Sequence, residues 1–197
     1  MGAESLSGQN EKEVSSKQIE LATLGGGCFW CTEAVFSLLK GVEKVEPGYS
    51  GGEIENPTYE QVSTGTTGHA EVIQISFNPE EISYKEILEI FFSTHDPTTL
   101  NRQGDEVGIK YRSIIFFYNE QQKEIAEKMI KEITEAKVWN RPIMTKVEPF
   151  KTFYGAEEYH KNYFKRHPES AYCRIVIAPK IDKPQKNYLS RLKVQLL

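Results

Sequence analysis

Three consecutive glycines, Gly25 to Gly27, run straight into a cysteine, Cys28. They separate two stretches of different period. Ile19 to Leu24 reads as a short strand, and Cys28 to Lys40 reads as a helix burying Phe29, Val35, Phe36 and Leu39. Glycine permits the tight strand-to-helix turn and leaves open access to the next side chain. Cys28 then falls in the first helical turn, where backbone N–H groups lack partners and the helix dipole favours negative charge. On that reading its thiol should ionise below the ordinary value of about 8.5. Phe29 and Trp30 follow directly and offer an apolar wall suited to a small thioether-like group. Read without further context, Cys28 is either this reactive thiol or a small buried hydrophobe.

Downstream, the pattern alternates between strand and helix without a repeating unit. Val42 to Tyr49 reads as a strand interrupted near Pro47, and Gly51 to Gly68 as mostly loop. Glu71 to Phe77 alternates as a strand with Glu71, Ile73, Ile75 and Phe77 on one face. Ser83, with Glu86 three residues on, opens a helix that ends near His95. Asp96 to Lys110 reads as a long loop, Tyr111 to Tyr118 as a strand and Glu120 to Lys137 as an amphipathic helix. Met144 to Phe150 reads as a weaker strand and Glu157 to Arg166 as a short aromatic-rich helix. Cys173 to Ala178 reads as a last strand, before a proline-bearing tail with a short helix. These elements predict an α+β fold, a two-layer α/β sandwich of ferredoxin-like type around a mixed sheet, with long surface loops. Residues 1–18 read as a disordered polar tail and 19–197 as a single catalytic domain.

Composition narrows the class. Hydrophobic residues are 39% and charged residues 26%, enough for a core that buries about 70% of the unfolded surface without a disulfide framework. A net charge of −4 gives no electrostatic footprint for nucleic acid or membrane. No apolar run approaches the roughly 20 residues of a membrane span, and no secretory leader is visible, so the cytoplasm is the expected location. Three cysteines, Cys28, Cys31 and Cys173, leave one unpaired in any disulfide scaffold. In a reducing compartment they read better as catalytic or metal-binding. Cys31 lies one helical turn after Cys28, a spacing that allows a local disulfide.

Glu71 has an argument of its own. On a strand face shared with Ile73, Ile75 and Phe77 it is partly desolvated, and burial raises a carboxyl pKa towards neutrality. A solvated first strand residue is the plain alternative. His69, beside it, reads as structural.

Six stretches in order extend this reading. They are Gly27-Cys28-Phe29-Trp30, Gly48-Tyr49-Ser50-Gly51-Gly52, Pro57-Thr58-Tyr59-Glu60-Gln61-Val62, Thr67-Gly68-His69-Ala70-Glu71, His95-Asp96-Pro97-Thr98-Thr99, and Arg102-Gln103-Gly104 with Tyr111-Arg112-Ser113. Falling between Gly27 and Ser113, they resemble the A-type peptide methionine sulfoxide reductases, a resemblance that extends over about residues 20 to 178. The resemblance implies reduction of the S epimer of methionine sulfoxide, free or in proteins, as a repair of oxidative damage, with no cofactor or metal and with thioredoxin or another dithiol as reductant. It makes Cys28 the nucleophile, Phe29 and Trp30 the pocket for the substrate methyl group, and Glu71 the proton donor. It makes Tyr59 and Tyr111 the hydroxyls that bond the sulfoxide oxygen. Glu106 stands where the family has an aspartate in the substrate site, and Ile109 and Lys110 replace a small polar pair. Family members often supply the resolving thiol from the C-terminal region, which favours Cys173, with Cys31 the local alternative.

Two other classes compete on the cysteines alone. A thioredoxin-type disulfide oxidoreductase shares the Cys-x-x-Cys at a helix start, although the glycine triplet does not fit it. A zinc-binding module would need a histidine to join the three cysteines.

Overall fold

The structure, a computed structural model, describes residues 18–193. All but the last residue of the expected tail lie outside them. In chain order the elements begin with β1 (Glu20–Gly26), α1 (Phe29–Phe36), β2 (Val42–Ser50), α2 (Tyr59–Ser63), β3 (Ala70–Phe77) and α3 (Tyr84–Thr94). A two-stranded ribbon follows, β4 (Arg102–Gln103) and β5 (Glu106–Val107), then β6 (Ser113–Phe117), α4 (Glu120–Glu135), β7 (Lys146–Pro149) and β8 (Phe153–Gly155). The chain ends in α5 (Tyr163–Arg166) and α6 (Ala178–Asn187).

Among the described residues six strands form one mixed sheet in the order β7-β6-β1-β3-β2-β8. Its pairs are antiparallel except β6 with β7. The central position of β3 follows from its sequence. One face carries Ile73, Ile75 and Phe77 and the first half of the other carries Ala70 and Val72, and each large side chain fully buried contributes about 1.5–3 kcal/mol. Ile73, Ile75 and Phe77 pack into the main core with α1 and α3, while Ala70 and Val72 join Ile114 and Phe116 on the opposite face. Glu71 lies in register with the first of these faces, directed towards the helices. The Ser83–Glu86 capping box forms as read, and Asn119 caps α4 in the same way through Gln122 N–H.

Several expectations change. β2 runs unbroken through Pro47, and its irregularity falls at Val42–Lys44 instead. Tyr111 is not in a strand: it closes a 3-10 turn, Ile109–Tyr111, just before β6. The helix read over Glu157–Arg166 breaks into a 3-10 turn, Glu158–His160, and the short α5, with Asn162 at φ +53° between them.

The strand read over Cys173 to Ala178 is a correction. Cys173–Ile177 forms a π-helical turn that continues into α6. A short apolar run fits either period, and burial shows which one won. Cys173, Ile177 and Ile181, four apart, are buried, whereas Ile175 is 74% exposed.

Candidate active site

Gly27 makes the turn into the site with φ +92°. Cys28 follows as the N-cap of α1, with φ −59° and ψ 125° and no side-chain capping bond. Cys28 packs with the main core and is 6% exposed. All three cysteines are reduced. Cys28 hydrogen-bonds Cys31 through their side chains, and Cys31 N–H donates to Cys28 O at 3.1 Å. Cys173 is fully buried and its N–H donates to Ser170 Oγ at 3.1 Å. Its neighbour Tyr172 places a hydroxyl 3.8 Å from Cys31 Sγ.

The carboxyl of Glu71 reaches the same helix end. Phe29 N–H donates to Glu71 Oε2 at 3.2 Å. Glu71 is 2% exposed, and burial raises its carboxyl to about 7 against the pull of Lys110 and the Phe29 N–H. The ammonium of Lys110 lies 3.3 Å from Glu71 Oε1. It also stands over the rings of Tyr59 and Tyr111, 4.6 and 4.8 Å from their centroids. Burial pushes the Tyr111 phenol up to about 12, so it remains a neutral donor.

The aromatic wall is built around His160. Trp30 Nε1–H donates to His160 Nδ1 at 3.1 Å, and the indole stacks on Tyr163 with centroids 3.6 Å apart and planes 4° apart. The imidazole also meets the rings of Phe29 and Tyr59 at 5.0 and 4.6 Å. Tyr172 closes the opposite side, edge-on to Trp30, and its hydroxyl donates to Glu106 Oε1 at 2.8 Å. The β4–β5 ribbon thus brings Glu106 to the cysteine pair. Glu157 ties the outer wall together, accepting from Tyr49 Oη and from Tyr59 N–H, both at 2.8 Å.

One electrostatic expectation fails. Burial pushes the Cys28 thiol well above its ordinary value, and the bond to Cys31 and the charge of Glu71 act in the same direction. The helix N–H expected to favour a thiolate is held by the carboxylate. Cys31, accepting from Cys28, falls to about 7. The two thiols therefore titrate as a pair, and Cys28 holds its proton more tightly than Cys31.

His69 proves structural: Nδ1 accepts from Gly52 N–H at 3.1 Å and Nε2–H donates to Ile54 O at 2.8 Å. Among the described residues no cluster of three or more His, Cys, Asp or Glu side chains gathers to hold a metal. A cavity of about 720 Å³ lies behind α1 against Leu38, Val45 and Phe164, and none of Cys28, Tyr59, Glu71, Glu106 and Tyr111 lines it. The predicted residues Cys28, Phe29, Trp30, Tyr59, Glu71, Glu106 and Tyr111 come together, with Cys31 beside the nucleophile. His160 and Tyr172 escaped the sequence reading, and Lys110 entered it only as a departure from the family's pattern. Each stands beside a residue of interest or in an aromatic cluster, and that adjacency was the only signal.

Comparison with known proteins identifies the family. The profile of the family described as "Peptide methionine sulfoxide reductase" matches residues 20–192. The chain belongs to that family. A peptide methionine sulfoxide reductase MsrA of Saccharolobus solfataricus is 56% identical over 176 residues, covering 89% of this chain and 98% of that protein. Reduced Mxr1 from Saccharomyces cerevisiae superposes with a TM-score of 0.72 at 36% identity, covering 79% of this chain and 89% of that one. Mxr1 in complex with Trx2 is similar at a TM-score of 0.51 and 26% identity, over 77% of this chain and 91% of that one. The fold shared with these relatives is a mixed sheet flanked by helices. No helix among the described residues is long and apolar enough to cross a membrane.

Proposed function

We propose that this chain reduces the S epimer of methionine sulfoxide, free or in proteins, to methionine, with Cys28 as nucleophile. The single observation that carries this is the convergence of Cys28 and a neutral-range carboxyl, Glu71, on one helix end. A sulfoxide accepts a thiolate only as its oxygen gains a proton, so the reaction needs both groups together.

The first step moves a proton from Cys28 to Cys31, leaving the charge on Cys28. The Cys28 thiolate attacks the sulfoxide sulfur while Glu71 protonates the oxygen. Tyr59 and Tyr111 donate to that oxygen, and Phe29 and Trp30 enclose the methyl group. The hydroxyl then passes from the substrate sulfur to the Cys28 sulfur as the S–O bond and the new S–S bond break, so methionine leaves and Cys28 is left as a sulfenic acid. Cys31, already in contact, then condenses with it to give a disulfide and water. Its place beside Cys28 supports Cys31 as first resolving thiol where the resemblance favours Cys173, which would receive the disulfide by exchange near Tyr172. Glu106 holds Tyr172 on the side where that exchange takes place.

An external dithiol restores the cysteines. A relative solved with Trx2 supports a thioredoxin in that role, and repair of oxidised proteins is the outcome. The same reading takes residues 19–197 as one catalytic domain of two-layer, ferredoxin-like form, working in a reducing compartment such as the cytoplasm.

The test is Cys28→Ser assayed against resolved R and S sulfoxides. The wild-type chain should turn over the S epimer alone, and the variant neither. S-epimer turnover by the variant would refute the assignment.

A further inference from the structure

Lys110 carries a charge that the reduction as written does not use. Its side chain is only 10% exposed, with Nζ 3.3 Å from Glu71 Oε1. The same nitrogen donates to Ser63 Oγ at 2.9 Å and stands over the rings of Tyr59 and Tyr111. Three elements thus meet at one atom: α2 through Tyr59 and Ser63, β3 through Glu71, and the turn Ile109–Tyr111. Removing an ammonium from water costs several kcal/mol, and a buried ion pair is a poor way to recover that as stability.

We infer that Lys110 is a positioning residue of the acid step: its ammonium, fixed by Ser63 and two tyrosine rings, orients the Glu71 carboxyl and eases departure of its proton. The inference rests on the reduction proposed above.

The two carboxyl oxygens have separate anchors, Phe29 N–H on Oε2 and Lys110 on Oε1. That fixes the plane of the acid. Two opposed effects then set its strength. Burial disfavours the carboxylate and by itself gives a weak, reluctant acid. The neighbouring cation works against burial, and the balance lies at about 7. As the proton leaves, the new carboxylate forms beside an ammonium already in place, so no group must reorganise to receive the charge. Other titratable groups face this pair. Glu106 from β5 opposes the cation weakly, and Cys28 gains its own upward push from Glu71. Tyr59, Tyr111, Tyr49 and His160 complete the surroundings.

The experiment compares Lys110→Gln and Lys110→Arg with the wild-type chain. Glu71 is titrated by carbon-13 NMR in the substrate-free enzyme, and kcat and KM for methionine sulfoxide are followed against pH. The Gln variant should raise the Glu71 midpoint by about one unit or more. The basic limb of its kcat profile should move up equally, and kcat should fall about tenfold with KM little changed. Arg should restore the limb and most of kcat. An unmoved midpoint in the Gln variant, or a moved midpoint with unchanged kcat and limb, overturns the inference. If that variant does not fold, nitrogen-15 NMR of Lys110 Nζ in the wild-type chain decides. The signal should titrate with the Glu71 midpoint, and a flat signal overturns the inference. A wild-type chain inactive on sulfoxides would sink the proposed function instead, while the Glu71 midpoint would still report on Lys110.

Discussion

The backbone N–H of Phe29 donates to Glu71 Oε2 at 3.2 Å, so the acid and the nucleophile's helix share one hydrogen bond. This contact places the carboxyl next to Cys28 and occupies the donor that would otherwise favour a thiolate. Activation of Cys28 then falls to its sulfur neighbour, Cys31, and protonation of the substrate to Glu71.

Glu71→Gln keeps an oxygen for the Phe29 N–H but removes the acid proton. Loss of a positioned acid costs about 10²–10⁴ in rate. We expect kcat to fall by that range with KM nearly unchanged. The basic limb near the Glu71 value of about 7 should disappear from the pH–rate profile.

The wall residue Trp30 depends on His160 for its orientation. His160→Phe fills the space but leaves the indole N–H without an acceptor, a loss of about 1–3 kcal/mol. Steady-state kinetics should show KM for methionine sulfoxide rising by about tenfold or more, with a shift in Trp30 fluorescence. An unchanged KM would mean that stacking on Tyr163 alone sets the ring.

Gly27→Ala meets two obstacles. Its φ of +92° is unfavourable for a side chain, and the new Cβ would lie 2.6 Å from Gln103 Cγ. Gln103 cannot easily yield, because its amide bonds both the N–H and the carbonyl of Asp96. The substitution should cost about 1–3 kcal/mol in urea unfolding and displace Cys28, lowering kcat as well.

Stability should depend on pH through two buried groups of opposite sign. Burial depresses His95 from 6.5 to about 4, and its ring lies between Phe91 O and Ser113 Oγ. A depressed histidine contributes stability that is present above about 6.5 and lost as pH falls through 4. Glu71 is raised from 4.5 to about 7, so its contribution is present below 4.5 and lost as pH rises through 7. Glu71→Gln removes the second effect and leaves the first. Its unfolding free energy should fall on the order of 3 kcal/mol between pH 6.5 and 4, measured by urea titration at each pH.

Much of this was legible in the chain because local chemistry and global placement agreed. The glycine triplet forced the turn before Cys28, the Ser83 box capped α3, and the apolar face of β3 carried Glu71 inward. The failures came where one pattern serves two ends. The run Cys173–Ile177 is apolar enough for a strand, but its contacts at every fourth residue made it helical. The acidity of Cys28 was misjudged because the helix end offers its N–H to whichever anion arrives, and a carboxylate two strands away in sequence took it. Lys110 stood out only as a departure from the family's small polar pair, and its partner became legible once the fold laid it on Glu71.

The most direct test is peptide mass analysis after a single turnover, using a chain with Cys31 and Cys173 both replaced by serine. One methionine per chain is expected, formed more slowly than in the wild-type chain because Cys31 no longer takes the Cys28 proton, with one oxygen added on the peptide bearing Cys28. Methionine formed with Cys28 unmodified, or no methionine while the wild-type chain is active, would contradict this expectation.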